Sequence, residues 1–210
     1  MARLFLLRHG PTSWNAEGRI QGHIDIPLSE EGREMVRGWT LPEAVAGYAW
    51  VVSPLQRARE TAEILGARDP ETADALKEMH WGDWEGERLE ELRARYGAEM
   101  AANEARGLDF RPPGGESPRD LRERLRPWLA EIGAAGRDRV AVAHKGVVRA
   151  LYTLASGWDM RGKPPEKLLS ARGHLFEVDS DGAPHCVRMN VDLRRDGEIE
   201  SPAARAGTGP

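Results

Sequence analysis

The chain is 210 residues long and 40% apolar, a size and composition suited to one well-buried core. Its formal charge of −4 offers no basic field for nucleic acid or an anionic membrane, so neither is expected as a partner. A lone cysteine, Cys186, closes no internal disulfide and suits a reducing compartment.

The first element is the apolar run Leu4-Phe5-Leu6-Leu7, closed by Gly10-Pro11, which predicts a buried strand ending in a turn. It is far too short for a signal peptide or a membrane span, and a cytoplasmic protein is expected. Arg8 and His9 stand at the carboxyl end of this strand, where ligands bind in open α/β sheets. A guanidinium beside an imidazole suits attack on phosphate. The cation offsets the dianion's charge, and the neutral ring nitrogen can accept the phosphoryl group.

Ser29-Glu30-Glu31 opens a helix reaching Trp39, with both acids in the turn where the helix dipole favours them. A second apolar run, Trp50-Val51-Val52, precedes Ser53-Pro54-Leu55-Gln56. Here Ser53 reads as an N-cap, Pro54 fits the first helical position and Gln56 closes a capping box. Leu55, Ala58, Ala62 and Leu65 share one face of that helix. Arg57 then falls in the first turn, among free N–H groups that favour an anion, whereas Arg59 points to solvent.

Leu76-Lys77-Glu78 leads into the turn-rich Trp81-Gly82-Asp83-Trp84-Glu85-Gly86. Phosphoryl transfer also needs an acid for the departing alcohol, and Glu78, Asp83 and Glu85 are all eligible from their spacing. Carboxylates in such a stretch also serve as plain surface charges. Leu89, Leu92 and Tyr96 mark a helix stopped by Gly97. Ser117-Pro118 opens another, apolar at Leu121, Leu125, Trp128, Leu129 and Ile132, which Pro127 is expected to kink or split. The charges from Arg119 to Arg126 read as its solvated face.

A third strand, Val140-Ala141-Val142-Ala143, ends in His144, and Gly146 opens the next helical segment, Val147 to Ala155. Leu175 to Val178 and Cys186 to Val191 predict a hairpin around Asp179-Ser180-Asp181-Gly182 at a sheet edge, with Cys186 a small strand residue. Residues 1–193 are expected to form a single catalytic domain, and 194–210, without periodicity, a flexible tail. Strands alternating with helices predict an α/β three-layer sandwich with a mostly parallel central sheet and helices on both faces. One basic residue at a strand end is an ordinary accident; the convergence of Arg8-His9, the helix of Arg57 and His144 is not.

The remaining histidines show no metal-ligand spacing, and no metal site is expected. His23 and His80 adjoin the clustered residues and could reach substrate; surface or strand-packing roles suit His174 and His185. Trp14, Trp81 and Trp84 are placed to wall a pocket, the other tryptophans to fill the core. The absence of a glycine-rich phosphate loop argues against a nucleotide-driven kinase.

Taken in order, several motifs resemble the histidine phosphatase superfamily, in its phosphoglycerate mutase-like branch, over about residues 3 to 190. They are Leu6-Leu7-Arg8-His9-Gly10-Pro11-Thr12-Ser13-Trp14-Asn15, Gln21-Gly22 and Asp25-Ile26-Pro27-Leu28-Ser29-Glu30-Glu31-Gly32. Ser53 to Ala62, Gly82-Asp83-Trp84-Glu85-Gly86 and Pro112-Pro113-Gly114-Gly115-Glu116-Ser117 follow. The resemblance implies a phosphoglycerate mutase-like fold with His9 as nucleophile, forming a phosphohistidine. It implies that Arg8, Arg57 and His144 line the phosphate pocket, and that Asn15 and the Gln21-Gly22 turn add hydrogen bonds. It also selects Glu78 as proton donor, since Glu78 holds the family's Leu-x-Glu position.

Two departures bear on function. Lys145 stands where the family usually has glycine, and either contacts the phosphate or a second anionic group, or points to solvent. The stretch from Gly97 to Pro113 is short and carries only Arg106 and Arg111, whereas the mutases of the superfamily have a long arginine-bearing insertion there. The resemblance therefore favours a histidine acid-type phosphatase, a metal-independent phosphomonoesterase that needs no cofactor and acts on a small phosphorylated metabolite. A cofactor-dependent phosphoglycerate mutase is the runner-up. A non-catalytic phospho-ligand binding module ranks third, because a binder has no need of nucleophile and acid together. A homodimer is compatible with all three.

Overall fold

The computed structural model describes residues 1–193; the tail expected from Arg194 onward lies outside the described residues. In chain order the main elements are β1 (Ala2–Arg8), α1 (Ser13–Ala16), α2 (Glu30–Arg37), β2 (Ala49–Val52), α3 (Gln56–Ile64) and β3 (Glu71–Thr72). There follow α4 (Leu89–Glu104), α5 (Pro118–Ala135), β4 (Arg139–Ala143), α6 (Lys145–Ser156), β5 (Arg172–Val178) and β6 (Pro184–Asp192). The strands form one six-stranded sheet in the order β3-β2-β4-β1-β5-β6. Pairings from β3 through β1 are parallel, while β5 and β6 join antiparallel at one edge, forming the expected hairpin.

The central strands β1 and β4 carry the unbroken apolar runs Leu4-Phe5-Leu6-Leu7 and Val140-Ala141-Val142-Ala143 because both faces are covered. Leu4, Leu6, Val51, Ala141 and Ala143 pack with Leu121, Leu125 and Leu129 of α5 and with Val147, Val148 and Leu151 of α6. The alternate residues Phe5, Leu7, Val52, Val140 and Val142 face the other way, against Val36 of α2 and Ala58 and Ala62 of α3. Each such buried Leu or Val side chain contributes about 1.5–3 kcal/mol. The result is the three-layer α/β sandwich expected from the alternation of elements.

Three local expectations need correction. α3 starts at Gln56, with Leu55 in the N-cap position and no side-chain cap, so Ser53 is not a capping residue. α4 continues beyond Gly97, which bends the chain at φ 48° and ψ −117°. The helix resumes there because Met100 is buried against Ile20, Trp84 and Leu92. α5 runs as one helix through Pro127. That proline lies on the exposed face, where water can satisfy the carbonyl it leaves unpaired.

Candidate active site

Adjacent strands β2, β4 and β1 end at one level, since Arg8 pairs with Ala143 and Val52 with Val142. The ladder then extends one residue further. The His9 N–H donates to the Ala143 carbonyl at 2.9 Å and the Ser53 N–H to that of Val142 at 3.0 Å. His9, Ser53 and His144 are thereby fixed in one row by the sheet, with the His9 and His144 ring centroids 5.0 Å apart.

His9 is buried and approaches the Gly10 carbonyl with Nδ1 at 2.6 Å. A carbonyl only accepts, so Nδ1 carries the proton and Nε2 keeps its lone pair. Burial first, then the positive charges of Arg8 and Arg57, pushes the His9 pKa well below its ordinary value. The ring is therefore a neutral nucleophile at physiological pH.

Arg57 is fully buried. Its Nη2 donates to the Gly22 carbonyl at 2.8 Å, its Nη1 to Ile24 at 3.1 Å, and its Nε to Nδ1 of His144 at 3.3 Å. With Nδ1 accepting, the neutral His144 carries its proton on Nε2 and donates it to Ser53 Oγ at 2.7 Å. Arg57 and His144 thus lie behind the cavity surface, where they do not form its wall, and act on the site through charge and through the His144–Ser53 contact. This contact joins residues 91 apart in the chain, and Ser53 Oγ also accepts from the Leu55 N–H at 3.4 Å.

Glu78 sits in the loop between β3 and α4 and is buried. Its Oε1 accepts from the Met79 N–H at 2.8 Å and its Oε2 from the Gly146 N–H, in the first turn of α6, at 3.1 Å. Desolvation raises its pKa and outweighs those two donors and the charges of Arg57 and Arg8, so Glu78 keeps its proton to higher pH than an ordinary glutamate. The three eligible acids are now separable. Asp83 is exposed, and Glu85 is consumed as a loop brace, accepting from the backbone N–H groups of His23, Ile24 and Trp81 at 2.7–3.1 Å.

The loop bearing Glu78 is held by residues assigned elsewhere from the sequence. His23 turns away from substrate space and places Nε2 2.8 Å from the Glu78 carbonyl. Arg124, expected on a solvated face, instead donates to the same carbonyl at 3.1 Å and to those of Ala75 and Lys77 at 2.7 and 3.1 Å. It also forms a two-pronged pair with Glu116 at 3.0 Å. Gly146 completes the fit: a Cβ there would lie 2.1 Å from Glu78 Oε1. Gly146→Ala is therefore expected to displace the carboxyl and lower turnover of alkyl phosphates by about 10²-fold. Steady-state kinetics beside an unchanged circular dichroism spectrum would check it, and wild-type rates would exclude the packing account.

Above these groups opens a cavity of about 610 Å³ walled by Arg8, His9, Asn15, Gln21, Glu78, Trp81, Lys145, Gly146 and Arg149, among others. Thr12 orders its floor by capping α1 and donating to Gln21 Oε1 at 2.9 Å. Asn15 closes the capping box. Gly22 contributes its carbonyl to Arg57 and has no room for a side chain, as a Cβ would lie 2.0 Å from Glu85. Two buried donors in the cavity residues, Arg8 Nε and Gln21 Nε2, have no partner among the described residues. Unsatisfied buried donors beside a neutral histidine suit a phosphate, which offers acceptors on every oxygen. Arg149, one helical turn beyond Lys145, was not singled out from the sequence; its i, i+4 spacing from Lys145 was the available signal.

A model of the histidine phosphatase superfamily (branch 1) matches residues 4–192. The chain belongs to that superfamily. It is 42% identical to a glucosyl-3-phosphoglycerate phosphatase of Mycolicibacterium vanbaalenii, covering 91% of this chain and 93% of that protein. It is 36% identical to 2,3-bisphosphoglycerate-dependent phosphoglycerate mutase 2 of Gloeobacter violaceus, over 72% of this chain and 74% of that one. The structure of a mycobacterial glucosyl-3-phosphoglycerate phosphatase complexed with VO3 superposes with a TM-score of 0.74 at 29% identity, covering 92% and 99% of the two chains. In this histidine phosphatase, Arg111 is taken up by Asp120 at 2.5 Å and Arg106 is exposed, and the arginines of the cavity wall (Arg8, Arg19, Arg93 and Arg149) all come from outside the short 97–113 segment.

Proposed function

We propose that this histidine phosphatase hydrolyses a small phosphomonoester through a phosphohistidine on His9. The observation that carries the reading is His9, its Nδ1 on the Gly10 carbonyl, in the same cavity as the buried Glu78 carboxyl, whose pKa desolvation raises, and the unpartnered donors of Arg8 and Gln21. Nε2 of His9 attacks phosphorus as the ester P–O bond breaks, and Glu78 gives its proton to the departing alkoxide. Arg8, backed by the buried charge of Arg57 and assisted by Asn15 and Gln21, holds the phosphoryl oxygens. Water then attacks the phosphohistidine. The Glu78 carboxylate takes a proton from it, releasing inorganic phosphate and restoring both residues. The cations supply the positive charge, so EDTA is expected to leave turnover within about twofold. A cytoplasmic setting is part of the proposal and rests on the single cysteine.

The mutase reading shares every step up to the phosphohistidine, and differs in returning the phosphoryl group to bound product. The open cavity favours water. Hydrolysis of several phosphomonoesters is therefore expected to exceed interconversion of 3- and 2-phosphoglycerate, assayed with and without 2,3-bisphosphoglycerate. Faster isomerisation in the presence of the bisphosphate would establish the mutase instead.

A further inference from the structure

Beside the active-site cavity lies a second one of about 290 Å³, between α6 and the segment leading into β5. Its walls gather Arg8, Lys145, Arg149, Lys167, Arg172 and His174 around Trp158, and include no carboxylate. Arg8, Lys145 and Arg149 belong to the walls of both cavities, so the two adjoin across these side chains. Arg172 is paired with Asp192 at 2.9 Å, and Arg149 lies over the Trp158 ring, 5.4 Å from its centroid. Arg8, Lys145 and Lys167 form no ion pair among the described residues. Partial burial, together with the charges of Arg8 and Arg149, lowers the Lys145 pKa below its usual value.

His174 adds a donor without adding charge. Its Nδ1 accepts from the Asn190 N–H at 3.2 Å, so its proton lies on Nε2, and burial lowers its pKa to about 4. Cations crowded together without ion-pair partners, as Arg8, Lys145 and Lys167 are among the described residues, repel one another until an anion joins them. A hydrolase for simple monoesters needs only the first cavity.

We infer that the second cavity is a subsite for another anionic group of the substrate, held by Lys145, Arg149 and Lys167. The ester phosphate then sits on His9 while a second oxyanion, phosphoryl or carboxylate, occupies the neighbouring cavity. The natural substrate is accordingly a phosphomonoester carrying two separated anionic groups. This deepens the phosphatase reading and rests on it for the placement of the first phosphate.

Lys167 is the informative position, because it is exposed and stands apart from the walls of the catalytic cavity. The probes are p-nitrophenyl phosphate and glycerol 3-phosphate, which have one anionic group, and 3-phosphoglycerate and 1,3-propanediol bisphosphate, which have two. The wild type is expected to show a KM at least about tenfold lower for the doubly anionic pair than for glycerol 3-phosphate. Whichever of the pair gains more identifies the second group as carboxylate or phosphoryl. Lys167→Glu should erase about tenfold of that advantage and leave kcat/KM for p-nitrophenyl phosphate within about twofold. Equal KM values across the panel, or a Lys167→Glu effect shared by all four substrates, would overturn the subsite while leaving the phosphatase standing.

Calorimetry on His9→Ala protein, which retains its ligands unchanged, separates the two readings. Propanediol bisphosphate binding that weakens about tenfold on adding Lys167→Glu supports the subsite even if no phosphomonoester is turned over. Binding indifferent to Lys167 rejects it.

Discussion

Replacing His9 with alanine is expected to abolish turnover, lowering kcat by at least about 10⁴-fold, because covalent catalysis has no route without its nucleophile. The same change should eliminate acid-labile labelling of the protein by a radioactive phosphoryl donor. The fold should survive, since the His9 side chain contributes one hydrogen bond, to Gly10, while the strand register is carried by backbone bonds to β4 and β5. Circular dichroism and thermal melting of the variant provide that control. Activity within tenfold of wild type, or phosphoryl labelling retained at another residue, would remove His9 from the mechanism.

The second large effect belongs to Glu78, and it depends on the leaving group. Nitrophenolate departs as a fairly stable anion, whereas an alkoxide from a sugar or glycerate needs a proton as the bond breaks. Glu78→Gln preserves shape but removes the transferable proton. It should slow single-turnover phosphorylation by alkyl phosphates by roughly 10²–10⁴-fold and by p-nitrophenyl phosphate much less. Single-turnover rates are needed because breakdown of the phosphohistidine also uses Glu78, as base. Equal losses on both substrates would assign Glu78 a binding role.

The pH profile offers an independent check. Burial holds the Glu78 pKa above, and the His9 pKa well below, their ordinary values. Phosphorylation needs Glu78 protonated and His9 neutral, so it should persist into acid until pH falls through the lowered His9 value. It should decline towards alkaline pH as Glu78 loses its proton. Glu78→Gln is therefore expected to abolish the alkaline limb of kcat/KM for alkyl phosphates and leave the acid limb in place. An alkaline limb unchanged in the variant would mean that another group titrates there.

Local patterns in the sequence determined the layered α/β fold, the strand ends carrying Arg8, His9 and His144, and the edge hairpin. Each is written in a few consecutive residues: an uninterrupted apolar run for a strand covered on both faces, a 3.6-residue period for a helix, and Gly or Pro at the turns. Arg57 in the first turn of its helix was legible for the same reason. The Ser53 cap was not correctly legible, because Ser-Pro-x-Gln satisfies a local rule that takes no account of what the fold sets beside it. Once the sheet sets β2 beside β4, the Ser53 hydroxyl meets His144 and α3 starts two residues later than the cap implies. Arg124 and His23 were misplaced likewise, since nothing near them in the chain announces the Glu78 carbonyl they hold. Among three acids of equal standing by spacing, the tertiary structure set Glu78 apart, since Asp83 is exposed and the Glu85 carboxylate is engaged by the backbone N–H groups of His23, Ile24 and Trp81. The tertiary structure also decided that Lys145, Arg149 and Lys167 wall one cavity. Desolvation and electrostatic repulsion depend on distances in space, which residue spacing along a chain does not encode.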